Sequence, residues 1–141
     1  MNLKNILAIA GKSGLYKLLG RTRTGVIVES IADGKRLPMS ATNSISALEE
    51  VAMYTEYGEL PICEIMRRIA EKENNGPAPS HKSEGEVVRA YFGEIVPDFD
   101  RERVYDSHIK KLFQWYNVLQ AAGMVDAINE EEEETENETE E

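Results

Sequence analysis

The chain has 141 residues, 41% of them hydrophobic, and a single cysteine, Cys63. That length allows one ordinary domain or two small ones sharing a core, and a lone cysteine excludes an intramolecular disulfide and a thiolate metal cluster. The formal charge of −10 is unevenly spread: residues 1 to 41 carry seven basic and two acidic side chains, residues 42 to 128 nine basic and fifteen acidic, and residues 129 to 141 nine glutamates and no base.

A basic head and an acidic tail follow from that division, rather than a uniformly acidic body. No apolar run approaches the roughly 18 to 20 residues of a membrane span, and MNLKNILAIAGKSG is too short for a signal peptide, so the expected location is the cytoplasm.

In chain order, Leu3, Ile6 and Leu7 suit one helical turn, while ILAI suits an opening strand equally well. Gly11-Lys12-Ser13 then has the ending of a phosphate-binding loop. The pattern G-x-x-x-x-G-K-[ST] needs a glycine where Ile6 stands, however, and a long helix where Gly14 and the strand-like GLYKLLG follow. No nucleotide site is expected there. RTRTG reads as a turn, VIVESI as a β-branched strand, and ADGK as a tight hairpin turn in which Asp33-Gly34 supplies a type I′ geometry. KRLPMS resumes as a strand whose Pro38 belongs on an edge or a bulge. A short helical turn over Ser46 to Glu50 and a returning strand in VAMYTEY complete the order of a small closed antiparallel barrel, residues 1–58.

After Gly58 the hydrophobic period changes. Pro61 is placed for a helix start, and Ile62, Ile65, Met66 and Ile69 recur at helical spacing until Asn74-Asn75-Gly76. Cys63 reads as a small apolar residue of that helix. GPAPSHKS is a linker ending in Ser83, with Glu86 three residues on as a capping box. Val88, Tyr91, Phe92 and Ile95 form the next face. A last helix begins near Asp100 with Tyr105, Ile109, Leu112, Tyr116 and Leu119 in one stripe, widened by Phe113 and Trp115, and Gly123 ends it. Three amphipathic helices make a second unit, residues 59–128, and the glutamate-rich stretch 129–141 has nothing to bury and is expected to be disordered.

The chemistry-bearing residues do not assemble into a reaction. His81 and His108 lack a partner at metal-ligand spacing. Asp98, Asp100 and Asp106 flank a helix start, where carboxylates complement the dipole. No Ser, His and Asp spacing specifies a triad. The expectation is a non-enzymatic binding protein without cofactor or metal.

The basic head supplies the candidate contacts. Arg21 and Arg23 fall at one end of the expected sheet and Lys12, Lys35 and Arg36 at the other, about 20 Å apart at roughly 3.3 Å per residue. Tyr16 is the only aromatic residue among them, whereas single-strand binders stack bases on several rings. Docking of a protein partner is therefore preferred. The alternative is a nucleic-acid binder that sets Lys12, Lys35 and Arg36 on phosphates. Trp115, beside the narrow seam of the last helix, is a candidate partner surface. The nine glutamates are expected to visit the basic barrel of their own or another copy and to compete there with polyanions.

The segments MNLKNILAIAGKSGLYKL and ESIADGKRLPMSATNSISALEEVAMYTEYGELPICEIMRRI resemble an uncharacterised bacterial family, domain of unknown function 5606, through Gly-Lys-x-Gly-Leu-Tyr and Asp-Gly-Lys-Arg. The resemblance spans residues 1 to about 125 and implies an N-terminal SH3-like barrel followed by a small helical domain. It implies no activity, catalytic residue or cofactor, and it leaves out the acidic tail.

Overall fold

The computed structural model describes residues 5–9, 14–40 and 44–125, so Lys12 and the glutamate-rich stretch lie outside the described residues. Among the described residues seven strands precede three helices. In order they are β1 (Ile6–Ile9), β2 (Tyr16–Arg21), β3 (Gly25–Ser30), β4 (Arg36–Ser40), β5 (Ile45–Ala47), a 3-10 turn (Leu48–Glu50), β6 (Ala52–Thr55), β7 (Gly58–Pro61), α1 (Ile62–Lys72), α2 (Gly85–Ile95) and α3 (Asp106–Ala121). The first five strands form one antiparallel sheet in the order β4-β3-β2-β1-β5, and β6 and β7 form a separate hairpin. The chain is α+β, as its change of hydrophobic period predicts.

ILAI is a strand, and its four apolar residues serve two cores. Ile6 (0% exposed) joins the core shared with the helices, while Leu7 and Ile9 join a second cluster with Tyr16, Val28 and Met39. Leu18, Val26, Leu37, Ile45 and Ala47 pack on that second cluster, so all five strands contribute to it and, among the described residues, no helix does. A sheet face buried without a covering layer must be enclosed by the curvature of the sheet itself. Leu19 helps, as the extra residue of a bulge between the pairs Leu18↔Val28 and Gly20↔Ile27, which sharpens the local twist. Pro38 sits on β4, an edge strand, where its missing N–H costs no ladder bond.

Two expected turns differ. Asp33-Gly34 is not a two-residue type I′ turn: Ser30 N–H donates to Lys35 O and Gly34 N–H to Ser30 O, both at 2.8 Å, which leaves 31–34 as a four-residue loop. Only Gly34 (φ +77°) is left-handed there, and Asp33 instead accepts the Lys35 N–H at 3.0 Å. The second difference concerns VAMYTEY, which does not return to the first sheet. Ile45–Ala47 takes the place beside β1, with Leu7↔Ala47 and Ile9↔Ile45 in register, and Ala52–Thr55 turns through Glu56-Tyr57 to pair with Gly58–Pro61. A two-residue connection closes at far lower entropic cost than a return across the sheet.

The helices bury the expected faces, with shifted starts. Ile62, Cys63, Ile65, Met66, Ile69 and Ala70 of α1, Val88, Phe92 and Ile95 of α2, and Ile109, Leu112, Phe113, Trp115, Tyr116 and Leu119 of α3 are all buried. The Ser83 capping box is not formed, because Ser83 N–H is held by Ser80 O in a linker turn and α2 begins at Gly85. The last helix begins at Asp106 rather than near Asp100, since the Asp100 carboxylate accepts the N–H groups of Glu102 (3.0 Å) and Arg103 (3.2 Å) and so closes a separate turn. Tyr105, expected on the core stripe, is the N-cap of α3 and 59% exposed.

Polar side chains then fasten the connections. Asn117 Oδ1 accepts the Ala78 N–H at 2.7 Å while its Nδ2 donates to Ala78 O and Pro79 O, and Tyr116 donates to Gly76 O at 2.8 Å. The linker after α1 is thereby laid along α3. Arg89 reaches Val104 O at 3.0 Å and Asp106 Oδ1 at 3.1 Å, tying α2 to the approach of α3. At the far end Met124 N–H donates to Leu119 O (2.8 Å) and Gly123 N–H to Gln120 O (3.1 Å), with Gly123 at φ +76°, a Schellman stop.

Two outcomes follow from this packing. Ile6→Ala removes buried atoms from the wall common to both cores and is expected to cost about 2–4 kcal/mol. Because β1 belongs to both, its thermal transitions by far-ultraviolet dichroism and by Trp115 fluorescence should still coincide; separate transitions for sheet and helices would contradict a shared wall. Asn117→Ala strands the Ala78 N–H and should lower stability by about 1–3 kcal/mol in a denaturant titration, whereas Asn117→Gln, which keeps the amide, should lose less.

Candidate docking groove and charged tips

Arg21 ends β2 and Arg23 lies in the turn to β3, while the β3–β4 loop carries Lys35 and leads into Arg36, so the two pairs occupy opposite ends of β3. All four are exposed. Arg36 Nε lies 3.9 Å from Glu29 Oε2, and Glu29 faces Lys17 on its other side through the register Lys17↔Glu29↔Arg36. Two cations thus flank one carboxylate across three strands. Asp33, on the same loop, is held below its ordinary carboxyl pKa by the Lys35 N–H. The sheet brings Lys35 and Arg36 together and leaves Arg21 and Arg23 apart from them.

Trp115 is 9% exposed and belongs to the main core. At about 100° per residue it lies some 40° from Leu119 on the edge of the seam, close enough for a broad apolar stripe to cover it. Its outer edge helps to line a groove of about 240 Å³ between α3 and the outer edge of β6. Ala52, Met53 and Tyr54 form one wall of this groove, and Val104, His108 and Lys111 line it with Trp115 on the other.

The backbone beside this groove is unevenly used. Ile62 N–H donates to Val51 O, so by antiparallel alternation Val51, Met53 and Thr55 bond toward β7 while Ala52 and Tyr54 point outward. Farther along, Tyr54 O accepts the Asp100 N–H at 3.0 Å and Glu56 N–H donates to Asp98 O at 2.9 Å, making an antiparallel bridge. That cover ends at Tyr54. Among the described residues no strand continues it past Ala52, so the edge there is open where it meets the groove.

Cations rim the apolar floor. Lys111 Nζ stands 6.0 Å from the centre of the Trp115 ring, and Arg103 lies 4.2 Å over the ring of Tyr54, itself 40% exposed. Arg103 also pairs with Asp100 at 2.8 Å, which holds the Asp100 carboxyl below its ordinary pKa, with the N–H of Glu102 adding to the effect. His108 stacks on Tyr105 at 5.1 Å and accepts the Tyr105 N–H on Nδ1 at 3.2 Å, which puts the proton of the neutral ring on Nε2. Glu59 of β7 lies opposite Tyr54 and bounds the rim on the acidic side. Sequence reasoning missed this groove. His108, Lys111 and Trp115 do recur at i, i+3 and i+7, but their partner wall depends on where β6 goes, which local alternation does not state.

A second cleft, of about 340 Å³, lies between the β3–β4 loop and the last turns of α3, with Ile31, Ala32, Val118 and Ala121 among its lining and His81 at its side. Among the described residues no three His, Cys, Asp or Glu side chains gather to hold a metal ion, and no helix is long and apolar enough to cross a membrane.

Comparison with known proteins divides the chain where its structure changes. Residues 3–48 match a domain of unknown function, DUF5606, and residues 51–119 match a second one, DUF6852. The seam falls on the 3-10 turn Leu48–Glu50, so the β6–β7 hairpin goes with the helices. No curated protein matches. The fold is similar to the solution NMR structure of a protein from Bacteroides vulgatus, with a TM-score of 0.73 and 41% identity over 86% of this chain and 88% of that one. With both domains matched in order and that identity sustained across nearly the whole of both chains, this protein belongs to the uncharacterised family that joins a DUF5606 domain to a DUF6852 domain.

Proposed function

We propose that this chain is a non-enzymatic docking module of the cytosol that captures an extended, acidic and apolar segment of a partner protein on the open edge of β6. The observation that carries the reading is the meeting of three features at one place: a strand edge at Ala52 that no strand among the described residues pairs with, an apolar groove floored by Met53 and Trp115, and a rim bearing Arg103, His108 and Lys111. Such an edge binds an added strand through main-chain bonds, and alternate side chains of that strand enter the groove. The basic rim favours carboxylates beside them. The DUF5606 part, read as an SH3-like barrel from its strand order and its self-enclosed apolar cluster, adds the cation pairs at its two tips as secondary contacts.

Engagement of the chemistry-bearing side chains supports a binding role over a catalytic one. His108 serves the α3 N-terminus through Nδ1, and Asp100 and Asp106 are bonded to Arg103 and Arg89. Separation of Arg21 and Arg23 from Lys35 and Arg36 favours a protein partner over a nucleic acid, because a phosphate backbone is held by a continuous basic track.

A labelled decapeptide alternating leucine and glutamate, its leucine–lysine counterpart and a single-stranded oligothymidylate test the reading in parallel. The acidic peptide is expected to bind with a change in Trp115 fluorescence, to weaken about tenfold on Lys111→Glu, and to be lost on Ala52→Pro, which removes the outward N–H. Preferential binding of the oligothymidylate, falling steeply with salt and abolished by Lys35→Glu with Arg36→Glu, would replace this reading with nucleic-acid recognition.

A further inference from the structure

Among the described residues the helices cover the outer face of the sheet at β1 and leave it bare over β3 and β4. We propose that this bare face docks the exposed side of α2 from a second copy of the chain, so that copies associate head to tail.

Three observations carry this. The first is the register of the sheet. Ile6↔Lys17↔Glu29↔Arg36 runs across four strands, and residues opposed in antiparallel pairs share a face. Ile6 at one end of that row is buried in the core of the helices, whereas Arg36 at the other end is exposed, so the helical layer stops partway across. The next row on the same face, Gly20↔Ile27↔Pro38, is apolar, and Leu19 in the bulge between the rows is 41% exposed. Apart from its adjoining residues, the place a Cβ would take at Gly20 has no described atom within 4 Å, which leaves room for a helix to approach the strands closely. The second observation is a matching helix face. At about 100° per residue Glu86, Ala90, Glu94 and Val87 share one sector of α2, opposite the buried Val88, Phe92 and Ile95. All four are exposed, Val87 by 52%. Of the large apolar side chains exposed among the described residues, Tyr54 and Tyr105 stand at the groove and Tyr57 in the β6–β7 turn, which leaves Leu19 and Val87. Within one chain neither covers the other. The third is charge. Lys17 and Arg36 outnumber Glu29 beside the apolar row, with Lys35 next to them, whereas Glu84 at the N-cap of α2 joins Glu86 and Glu94. Lys72 of α1 reaches Glu94 at 2.7 Å, and Arg89 is turned to Val104 O and Asp106. An apolar centre among cations thus faces an apolar centre among carboxylates. The two patches differ, so the contact is heterologous and builds a ring or an open chain. Ala52, Met53 and Trp115 of the groove take no part in it.

Sedimentation velocity of the full chain over a rising series of concentrations tests this. The native chain is expected to gain mass with concentration, and to gain less of it as salt is raised. Leu19→Glu and Val87→Lys, both at exposed positions, should each weaken association by about tenfold or more, because each sets a charge of the wrong sign into the contact. Gly20→Gln, a neutral side chain for which the single chain has room, should weaken it as well while leaving the thermal transition in place. An equimolar mixture of Leu19→Glu and Val87→Lys should associate again, since the native α2 of the first meets the native sheet of the second. A native chain that stays monomeric at every concentration, association indifferent to any of these changes, or a mixture no tighter than its parts would overturn the proposal. A monomer whose Gly20 and Ile27 amides shift with oligothymidylate would overturn it too and give the face to nucleic acid. Binding of the leucine–glutamate peptide at the groove should be the same in Leu19→Glu as in the native chain, so the two readings fail separately.

Discussion

The fold depends on a four-residue strand that is buried on both of its faces. β1 pairs with β2 on one side and β5 on the other, sends Ile6 into the core of the helices and sends Leu7 and Ile9 into the cluster enclosed by the sheet. A strand with solvent on one face alternates apolar and polar residues; ILAI has no polar position because neither face meets water. Leu15 and Leu48, both fully buried, add to the same wall from the flanks of β2 and β5. The two domains of the family are therefore joined by shared apolar burial as well as by covalent connection. Their seam at the 3-10 turn is a seam in sequence and not in packing.

Charge is used differently on the two sides of that wall. In the helical part the arginines finish connections: Arg68 donates to Ile95 O, Arg89 to Val104 O and Arg101 O, and Arg101 to Pro97 O and Phe99 O. The stretch between α2 and α3 has no ladder of its own, so these guanidinium groups satisfy carbonyls that would otherwise be left without donors. Phe99, packed edge-on to Phe92 at 4.9 Å, also lies beneath Arg101 at 4.2 Å. In the sheet Arg21, Arg23, Lys35 and Arg36 instead stand at turns and strand ends, exposed. A positive count in the sequence thus describes two populations, one consumed by folding and one left exposed at the sheet's ends.

How much of this was readable before the structure follows from which signals are local. The helices were, because Ile62, Ile65, Met66 and Ile69 state their own buried face. So were the first strands and the edge position of Pro38. What failed was pairing at a distance. AMYT reads as a strand wherever it goes, and nothing within it distinguishes a return to β1 from a hairpin with GELP; Ile45–Ala47, only three residues long, was absorbed into the expected helical turn. Helix starts failed where a competing turn used the capping residue first, as at Ser83 and Asp100. Of the candidate site, the separation of the sheet cations was legible from the hairpin pattern, while the groove was not, since it exists only where β6 leaves its edge open against α3.

α3 shows why the two surfaces need not overlap. With about 100° between successive residues, its core stripe of Ile109, Leu112, Tyr116 and Leu119 leaves two further sectors, one holding His108, Lys111 and Trp115 and the other Gln114, Asn117 and Ala121, with centres roughly 120° apart around the axis. Trp115 lies at the border of core and groove, so an occupant of the groove presses on a residue that is already part of the main packing. Asn117 lies between core and cleft and holds the linker after α1 by three bonds. Neither sector can repack without disturbing the same helix, whose buried residues share one core cluster with Ile6 of β1. Any communication between groove and cleft therefore has a physical carrier in the rigid α3, whose sixteen residues span about 24 Å at 1.5 Å each.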